Sequence, residues 1–146
     1  MALALVAAPL TAQKTSLTLT GGTIAFPAPT AADYIAGYVY STTGVTFTLD
    51  ATTGVSRTTT VSIRSTSANL GNGKVIGELE WRRSDLATWS PITLSDAQVE
   101  QRIMIRNVSN DPWSNTIFFR MKLSWTSDAP GVYSANYQIT LSQTVP

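Results

Sequence analysis

The feature that most constrains this chain is the repeated alternation of apolar and small polar residues over short runs. The clearest run is 132–143, where every second residue from Tyr133 to Leu141 is apolar or aromatic and the residues between are Ser, Asn, Gln and Thr. Strand side chains point alternately to opposite faces, so this period predicts strands with one buried and one polar face. The same period recurs in four further runs: 45–49, 60–64, 78–82 and 117–125.

These runs, separated by turn signals such as Gly-Asn-Gly at 71–73, predict roughly seven to nine short strands. Only 95–102 fits a brief helical turn, with Ser95 as its N-cap, and 30–41 fits a loop that contains a short strand. Many short strands are typical of a sandwich. The expected fold is therefore all-β: a single antiparallel β-sandwich, Ig-like (immunoglobulin-like) or jelly-roll-like, in one domain over 14–146.

The first residues differ from the rest of the chain, because 2–12 is an apolar run that ends in small residues. The run is too short to span a bilayer. It resembles the apolar and cleavage regions of a secretory signal peptide, although a positively charged start is missing. We interpret 1–13 as a signal-peptide remnant and expect a secreted, extracellular or cell-surface protein with no membrane span. The alternative is that the run forms a genuine first β-strand.

A short motif late in the chain carries a resemblance to known families. The turn Asp-Ala-Pro-Gly at 128–131, followed by Val132 and Tyr133, resembles the entry into a late strand of immunoglobulin-like domains. The resemblance implies that the Tyr133 hydroxyl bonds to nearby backbone. Ala135 stands where antibody domains have a Cys. A Thr-rich sandwich that ends in such a strand is similar to bacterial pilin-like and spore-coat-U-like surface subunits, which implies a structural role.

The residues that common catalytic sites need are missing from the sequence. It contains no His and no Cys, which removes the usual general base and the usual nucleophile–base pairs. Glu78 and Glu80 are two residues apart, about 7 Å along a strand, a separation compatible with inverting glycoside hydrolysis. A solvated strand face, with Arg82 or Arg64 as ion partner, explains them better. We therefore predict that the protein is not an enzyme and has no cofactor.

Charge and oxygen-donor patterns point to no nucleic-acid or metal partner. The net charge is +1 with scattered Lys and Arg, which provides no basic face for nucleic acid. Asn and Asp in 110–115, with Asp96 elsewhere, supply oxygen ligands that suit Ca²⁺. Turn formation alone explains their presence there. We therefore expect neither a nucleic-acid-binding surface nor a metal site.

An alternating strand near the start is the candidate for self-association. Residues 15–26 form a Thr-rich run before the Pro-rich break at 27–29. Such a strand can leave its own fold and pair with the sheet edge of the next copy, which gives a homopolymer. The alternative is that the strand pairs within its own domain. The residues that would make the exchanged contact are Leu17, Leu19, Ile24 and Phe26.

A tryptophan in a polar segment is the candidate for ligand contact. Trp113 lies beside Asn110, Asp111 and Asn115, where nothing indicates burial, so its ring could stack on a sugar while the amides bond hydroxyls. Three tyrosines are possible further stacking surfaces: Tyr34, Tyr38 and Tyr40. The functional alternatives are thus a non-catalytic structural subunit of a surface filament or coat, and a carbohydrate- or partner-binding module.

The other three tryptophans have different expected positions. Trp81 and Trp125 fall in the inward phase of their strands, which predicts that both belong to the core. Trp89 precedes Ser90-Pro91, and we place it at a sheet edge because Pro interrupts a central strand.

Overall fold

A computed structural model of the chain describes residues 14–20, 24–52, 56–104 and 113–144. One helix is present in these residues, α1 (Ala31–Ala36), together with a 3-10 turn at Ile76–Glu78. The seven longer strands are β1 (Lys14–Thr20), β4 (Val45–Thr52), β5 (Arg57–Ser65), β8 (Leu79–Arg83), β10 (Ala97–Met104), β11 (Trp113–Lys122) and β13 (Tyr137–Thr144). The six shorter strands are β2 (Ile24–Ala25), β3 (Tyr38–Tyr40), β6 (Asn69–Gly71), β7 (Lys74–Val75), β9 (Ser90–Pro91) and β12 (Ser134–Ala135).

Two antiparallel sheets contain most of the strands. The larger has six strands: five follow the order β1-β4-β11-β8-β9, and the sixth, β3, also pairs with β11. The smaller has the order β10-β5-β13. The short strands form two further pairs, β12 with β2 and β6 with β7. Every pairing in the described part of the chain is antiparallel. The prediction of an all-β, antiparallel fold is confirmed.

Both sheets contribute their inward side chains to one hydrophobic core. Contributions from the larger sheet include Phe47, Phe119 and Met121, and those from the smaller include Val61 and Ile63. Each of these residues is at most 1% exposed, and each occupies a position that the two-residue period assigns to the inward face. Burying apolar area of both sheets against each other is the dominant stabilising contribution to such a fold.

The segment 30–41 contains a helix that the sequence pattern did not predict. Thr30 caps α1: its hydroxyl accepts from the Asp33 amide at 3.3 Å, and the Asp33 carboxylate accepts from the Thr30 amide at 2.8 Å. Gly37, with φ at 78°, ends the helix in the left-handed conformation that glycine favours. No helix in the described residues has the length and apolarity to cross a membrane.

The expected helical turn at 95–102 is wrong. Residues 97–104 form β10, which pairs with β5 from Ala97 opposite Ile63 to Met104 opposite Arg57. The register shifts between Gln98 and Glu100, and this irregularity disturbs the alternation that would otherwise have indicated a strand.

The turn before β12 has the hydrogen bond that the immunoglobulin-like resemblance implied. Tyr133 is 2% exposed, and its hydroxyl donates to the backbone oxygen of Ala129 at 2.5 Å. The bond spans the 128–131 turn and fixes the direction in which the chain enters its last strands.

Candidate functional site

Strand β1 forms an edge of the six-stranded sheet. Its seven residues pair with β4 from Lys14 opposite Thr52 to Thr20 opposite Thr46, and β4 is its only strand partner in the described chain. Leu17, opposite Leu49, is half-buried against the core. One long side of the β1 backbone is therefore paired with β4, while the other has no strand partner among the described residues, the arrangement of an edge strand.

The four residues predicted for strand exchange lie in two different settings. Leu17 and Leu19 are on β1, where Leu19 is opposite Phe47. Ile24 and Phe26 follow the undescribed residues 21–23 and belong to the core, with exposures of 1% and 7%. The first pair is therefore on the edge strand, whereas the second pair anchors the chain in its own fold.

The outer face of the same sheet carries alternating aromatic rings and guanidinium groups. The guanidinium carbon of Arg120 lies 3.9 Å from the Tyr38 ring centroid and 4.5 Å from that of Trp89. The guanidinium carbon of Arg82 lies 5.0 Å from the Trp89 centroid and 5.3 Å from that of Phe118. All four distances are within the range of cation–π attraction. We call these five residues the arginine–aromatic ladder.

Strand register brings the ladder together from separate parts of the chain. On β11, Phe118 is opposite Arg82 of β8, and Arg120 is opposite Tyr40 of β3. A guanidinium N–H of Arg82 donates to the Leu86 backbone oxygen at 2.9 Å, which ties β8 to the loop that leads to Trp89. Since residues two apart on a strand share a face, the outward positions of β3, β8 and β11 form one surface.

The ladder surface has more cations than carboxylates. Glu80 accepts from Arg120 Nε at 2.7 Å and lies 3.1 Å from Lys122 Nζ. Burial raises the pKa of Glu80, but the hydrogen bonds and charges of these two cations outweigh burial and hold the pKa below its ordinary value of 4.5. Arg82 makes no ion pair among the described residues; its guanidinium donates instead to the backbone oxygens of Arg83 and Leu86.

A small open pocket lies beside the ladder. Its volume is about 160 Å³, and it is lined by Tyr40, Ser41, Arg82, Trp89, Phe118 and Phe119. Tyr40 is 54% exposed and Phe118 is 36% exposed, so both present ring surface to solvent. The pocket therefore combines apolar ring faces for stacking with guanidinium donors for an anionic or hydroxylated group.

Trp113 is not in the setting that the sequence indicated. It begins β11, is 6% exposed, and has the Arg102 guanidinium carbon 4.5 Å from its ring centroid. The expectation of an exposed ring is wrong because the strand starts earlier than its apolar residues suggest. The signal was present, since Trp113 shares the odd-numbered phase of Ile117 and Phe119.

The neighbours of Trp113 are divided between described and undescribed parts of the chain. Asn115 accepts from the Ser84 hydroxyl at 2.9 Å and donates to the Asp85 carboxylate at 3.2 Å. Asn110 and Asp111 lie outside the described residues. Ligand contact by these residues stays a prediction, and the described geometry gives Asn115 a role in joining β11 to the 84–85 turn.

Whether the remaining aromatic residues are buried or exposed depends on where the strands end. Trp81, 7% exposed, belongs to the core as predicted. Trp125 is 61% exposed, and the prediction that it is core is wrong, because β11 ends at Lys122 and the alternation no longer applies. Its ring stacks on that of Tyr34, with centroids 4.5 Å apart. Tyr34 is itself buried, and Trp89 is half-buried beside the edge strand β9, as predicted.

Glu78 and Glu80 do not share a strand face. Glu78 ends the 3-10 turn and pairs with Lys74, whereas Glu80 pairs with Arg120 and Lys122. The predicted partners Arg82 and Arg64 are therefore wrong. The described residues contain no group of three or more Asp or Glu side chains that could hold a metal ion.

None of the family models, curated proteins and solved structures with which the chain was compared matches it. The protein is thus described by its own structure: an all-β fold with antiparallel sheets, and two surface features. These features are the edge strand β1 and the arginine–aromatic ladder with its pocket.

Proposed function

We propose that this chain is a non-catalytic structural subunit of an extracellular surface filament or coat, and that copies assemble by exchanging β1. The observation that carries the proposal is that β1 is an edge strand, paired along one side with β4. An edge strand can be replaced by the same strand of another copy without disturbing a second neighbour.

The exchange needs no contact that the single chain does not already make. When β1 leaves, the edge of β4 that faced it is free at seven positions, from Thr46 to Thr52, and this edge accepts β1 of another copy in the same register. Ile24 and Phe26 stay in their own core, so the chain remains folded while its edge strand is donated. In the sequence Gly21 and Gly22 lie between the two parts, and glycine is the residue type least restricted in backbone conformation.

Repetition of the exchange gives an open assembly. The donated surface, β1, and the accepting surface, the edge of β4, are different parts of the molecule, so the contact is head-to-tail. A head-to-tail contact that does not close into a ring produces a filament. The sequence supports a structural role, since it contains no His and no Cys and so lacks the common catalytic pairs.

Single-cysteine variants test the exchange directly because the chain has no native Cys. Thr18 is opposite Thr48 in the β1–β4 register. Thr18→Cys and Thr48→Cys proteins with different tags are mixed, assembled and oxidised, and we expect disulfide-linked products that carry both tags. A double variant with both cysteines in one chain should form an internal disulfide whenever β1 is paired with β4 of the same chain.

A matched pair in the other sheet provides the control. Thr60 and Ser142 are register partners between β5 and β13, which the proposal leaves in place. Mixed Thr60→Cys and Ser142→Cys proteins should give no such product. If the mixed Thr18→Cys and Thr48→Cys proteins give no product that carries both tags at any protein concentration, while the double variant forms its internal disulfide, the exchange proposal is wrong.

A second candidate function, carbohydrate binding, is supported by the pocket beside the ladder. Tyr40 and Phe118 provide exposed ring surface on which a pyranose ring stacks, and Arg82 provides donors without an ion-pair partner among the described residues. A guanidinium that lines the pocket favours a sugar that carries a carboxylate. Titration of the protein with uronic-acid and neutral oligosaccharides, followed by Trp fluorescence, tests this role. We expect Arg82→Gln to abolish the preference for the acidic sugar, and Arg64→Gln, on the other sheet, to preserve it.

A further inference from the structure

The buried amine of Lys74 lies between two carboxylates at one end of the molecule. The Lys74 side chain is 1% exposed, and its Nζ is 2.8 Å from Oδ1 of Asp128. The same Nζ donates to Oε2 of Glu78, whose side chain is 41% exposed. The Asp128 side chain is 6% exposed, so the Lys74–Asp128 contact is shielded from water while Glu78 reaches the surface.

The Asp128 carboxyl group is held in a fixed position. The backbone N–H of Ser124 donates to its second oxygen, Oδ2, at 2.8 Å. The Tyr34 hydroxyl donates to the Asp128 backbone oxygen at 3.3 Å, and the neighbouring Ala129 accepts the Tyr133 hydroxyl at 2.5 Å. One carboxyl oxygen thus has a backbone donor aimed at it, while the other faces the amine.

We propose that Lys74 and Asp128 condense to an intramolecular amide, with Glu78 as the group that transfers the protons. The site has the three parts that this reaction requires: an amine held against a carboxyl group, a donor on the oxygen that becomes the amide carbonyl, and a second carboxylate in contact with the amine. Burial of the first two groups excludes the water that would favour the reverse reaction.

The atoms and charges of the condensation balance within these three side chains. Glu78 passes a proton from the Lys74 ammonium to Oδ1 of Asp128, and the neutral amine attacks Cγ of the resulting neutral carboxyl group. The Ser124 N–H stabilises the charge that develops on Oδ2. The C–Oδ1 bond then breaks, and Oδ1 leaves as water with the two protons lost by the ammonium, delivered through Glu78. One water is released, Glu78 returns to its initial state, and no oxidant is needed.

The amide would remove a buried ion pair and close a covalent loop. Two buried charges cost desolvation free energy that their attraction only partly offsets, and the neutral amide avoids this cost. The new bond would join Lys74, at the start of β7, to Asp128, which follows the 125–127 turn, and would close a loop over the residues between them. Such a bond stabilises by constraining the unfolded chain, as disulfides do, in a protein that has no Cys. This inference does not depend on strand exchange.

Mass spectrometry of the full chain tests the proposal without any variant. The denatured, purified protein should have a mass lower than that of its sequence by one water molecule, and protease digestion should give a branched peptide that joins Lys74 to Asp128. If circular dichroism shows that the protein is folded and its mass equals that of the full sequence, with no water lost, the proposal is overturned. A water loss that maps to any other pair of residues would also overturn it.

Variants separate the roles of the three residues. Glu78→Gln should restore the full mass while Lys74 and Asp128 are still present. Asp128→Asn should form the same amide by loss of ammonia, so its product has the mass of the reacted wild-type protein. Glu80→Gln is the matched control: Glu80 also pairs with a lysine, Lys122, and its replacement should leave the water loss intact. A water loss that persists in Glu78→Gln would contradict the role given to Glu78.

Discussion

The outer faces of the two sheets have different chemistry although both sheets share one core. On the smaller sheet, polar side chains bond to cross-strand neighbours: Gln138 accepts from Arg64 at 3.0 and 2.6 Å, and Gln101 donates to Thr60 at 3.0 Å. On the larger sheet, rings alternate with guanidinium groups, and a pocket opens beside them. The larger sheet has polar pairs as well, since Thr46 bonds with Thr116 and Thr48 with Ser114. Its β3, β8 and β11 part differs by adding exposed rings and a cation, Arg82, that makes no ion pair among the described residues.

The difference arises from side-chain size and from one glycine. Short polar side chains reach their cross-strand neighbours and pair with them, but rings need space between strands. Gly44 leaves room for two side chains of β11, since a Cβ there would collide with Cγ2 of Thr116 and lie 3.0 Å from the Phe118 ring. The outward-facing positions of a strand thus form either a polar surface or a pocket, depending on which residues occupy them.

The largest expected effect is the difference in stability loss between substitutions on the two faces of β11. Phe119 is 1% exposed and Phe118 is 36% exposed. Phe119→Ala should lower the free energy of unfolding by about 3–5 kcal/mol, because it leaves a cavity in the shared core. Phe118→Ala should cost about 1 kcal/mol, the scale of a partly exposed cation–π contact. Urea unfolding of both variants measures the contrast, and equal losses would show that the ladder face is packed like the core.

The next effect concerns the carboxylate beneath the ladder. Arg120→Met leaves Glu80, 7% exposed, with Lys122 as its remaining ion partner in the described structure. We expect a loss of about 2 kcal/mol at pH 7, because a buried charged acceptor loses its hydrogen-bond donor. Denaturant unfolding measures this loss, and Arg64→Met on the other sheet is the control.

The same variant makes a prediction about pH. The pKa of Glu80 is below 4.5 in the folded protein, so its contribution to stability is present above pH 4.5 and lost as the pH falls through the folded-state value. The difference in stability between wild type and Arg120→Met should therefore shrink below pH 4.5. A difference that stays constant from pH 7 to pH 3 would contradict the assigned role of the Glu80–Arg120 pair.

A smaller effect is expected from the middle ring of the ladder. Trp89 lies 5.0 Å from Arg82 and 4.5 Å from Arg120, measured from ring centroid to guanidinium carbon. Trp89→Ala should cost about 1–2 kcal/mol, since two cation–π contacts are lost. Trp89→Phe should restore part of this loss. If Phe and Ala have the same effect on thermal unfolding, the ring does not act through its π face.

The smallest effect is expected on the polar face of the other sheet. Gln138 is exposed, and its contacts with Arg64 are solvent-accessible. Gln138→Ala should change the free energy of unfolding by about 0.5 kcal/mol or less, as most surface substitutions do. A loss as large as that of Trp89→Ala, measured in the same denaturant titration, would remove the energetic distinction between the two faces.

The tryptophans show how far the sequence pattern reaches. The odd-numbered phase of β11 predicted correctly that Ile117, Phe119 and Met121 point inward. Trp113 fits the same phase and is buried, but the strand was not expected to begin there, so its burial was missed; Trp125 breaks the phase because β11 ends at Lys122. Alternation assigns a side chain to a face only inside a strand, and strand ends are set by which neighbours pair there.

The alternation of the sequence by itself determined that the protein is all-β and antiparallel, and that the alternating apolar residues at 45–49 of β4, at 61–63 of β5 and at 117–121 of β11 point to the core. These properties depend on neighbours two positions apart. The ladder joins residues of three strands and a loop, and the buried ion group joins Lys74 to Asp128. Only the tertiary structure decided these two groupings, because the register between distant strands and the packing of turns bring the residues together, and no local period encodes either.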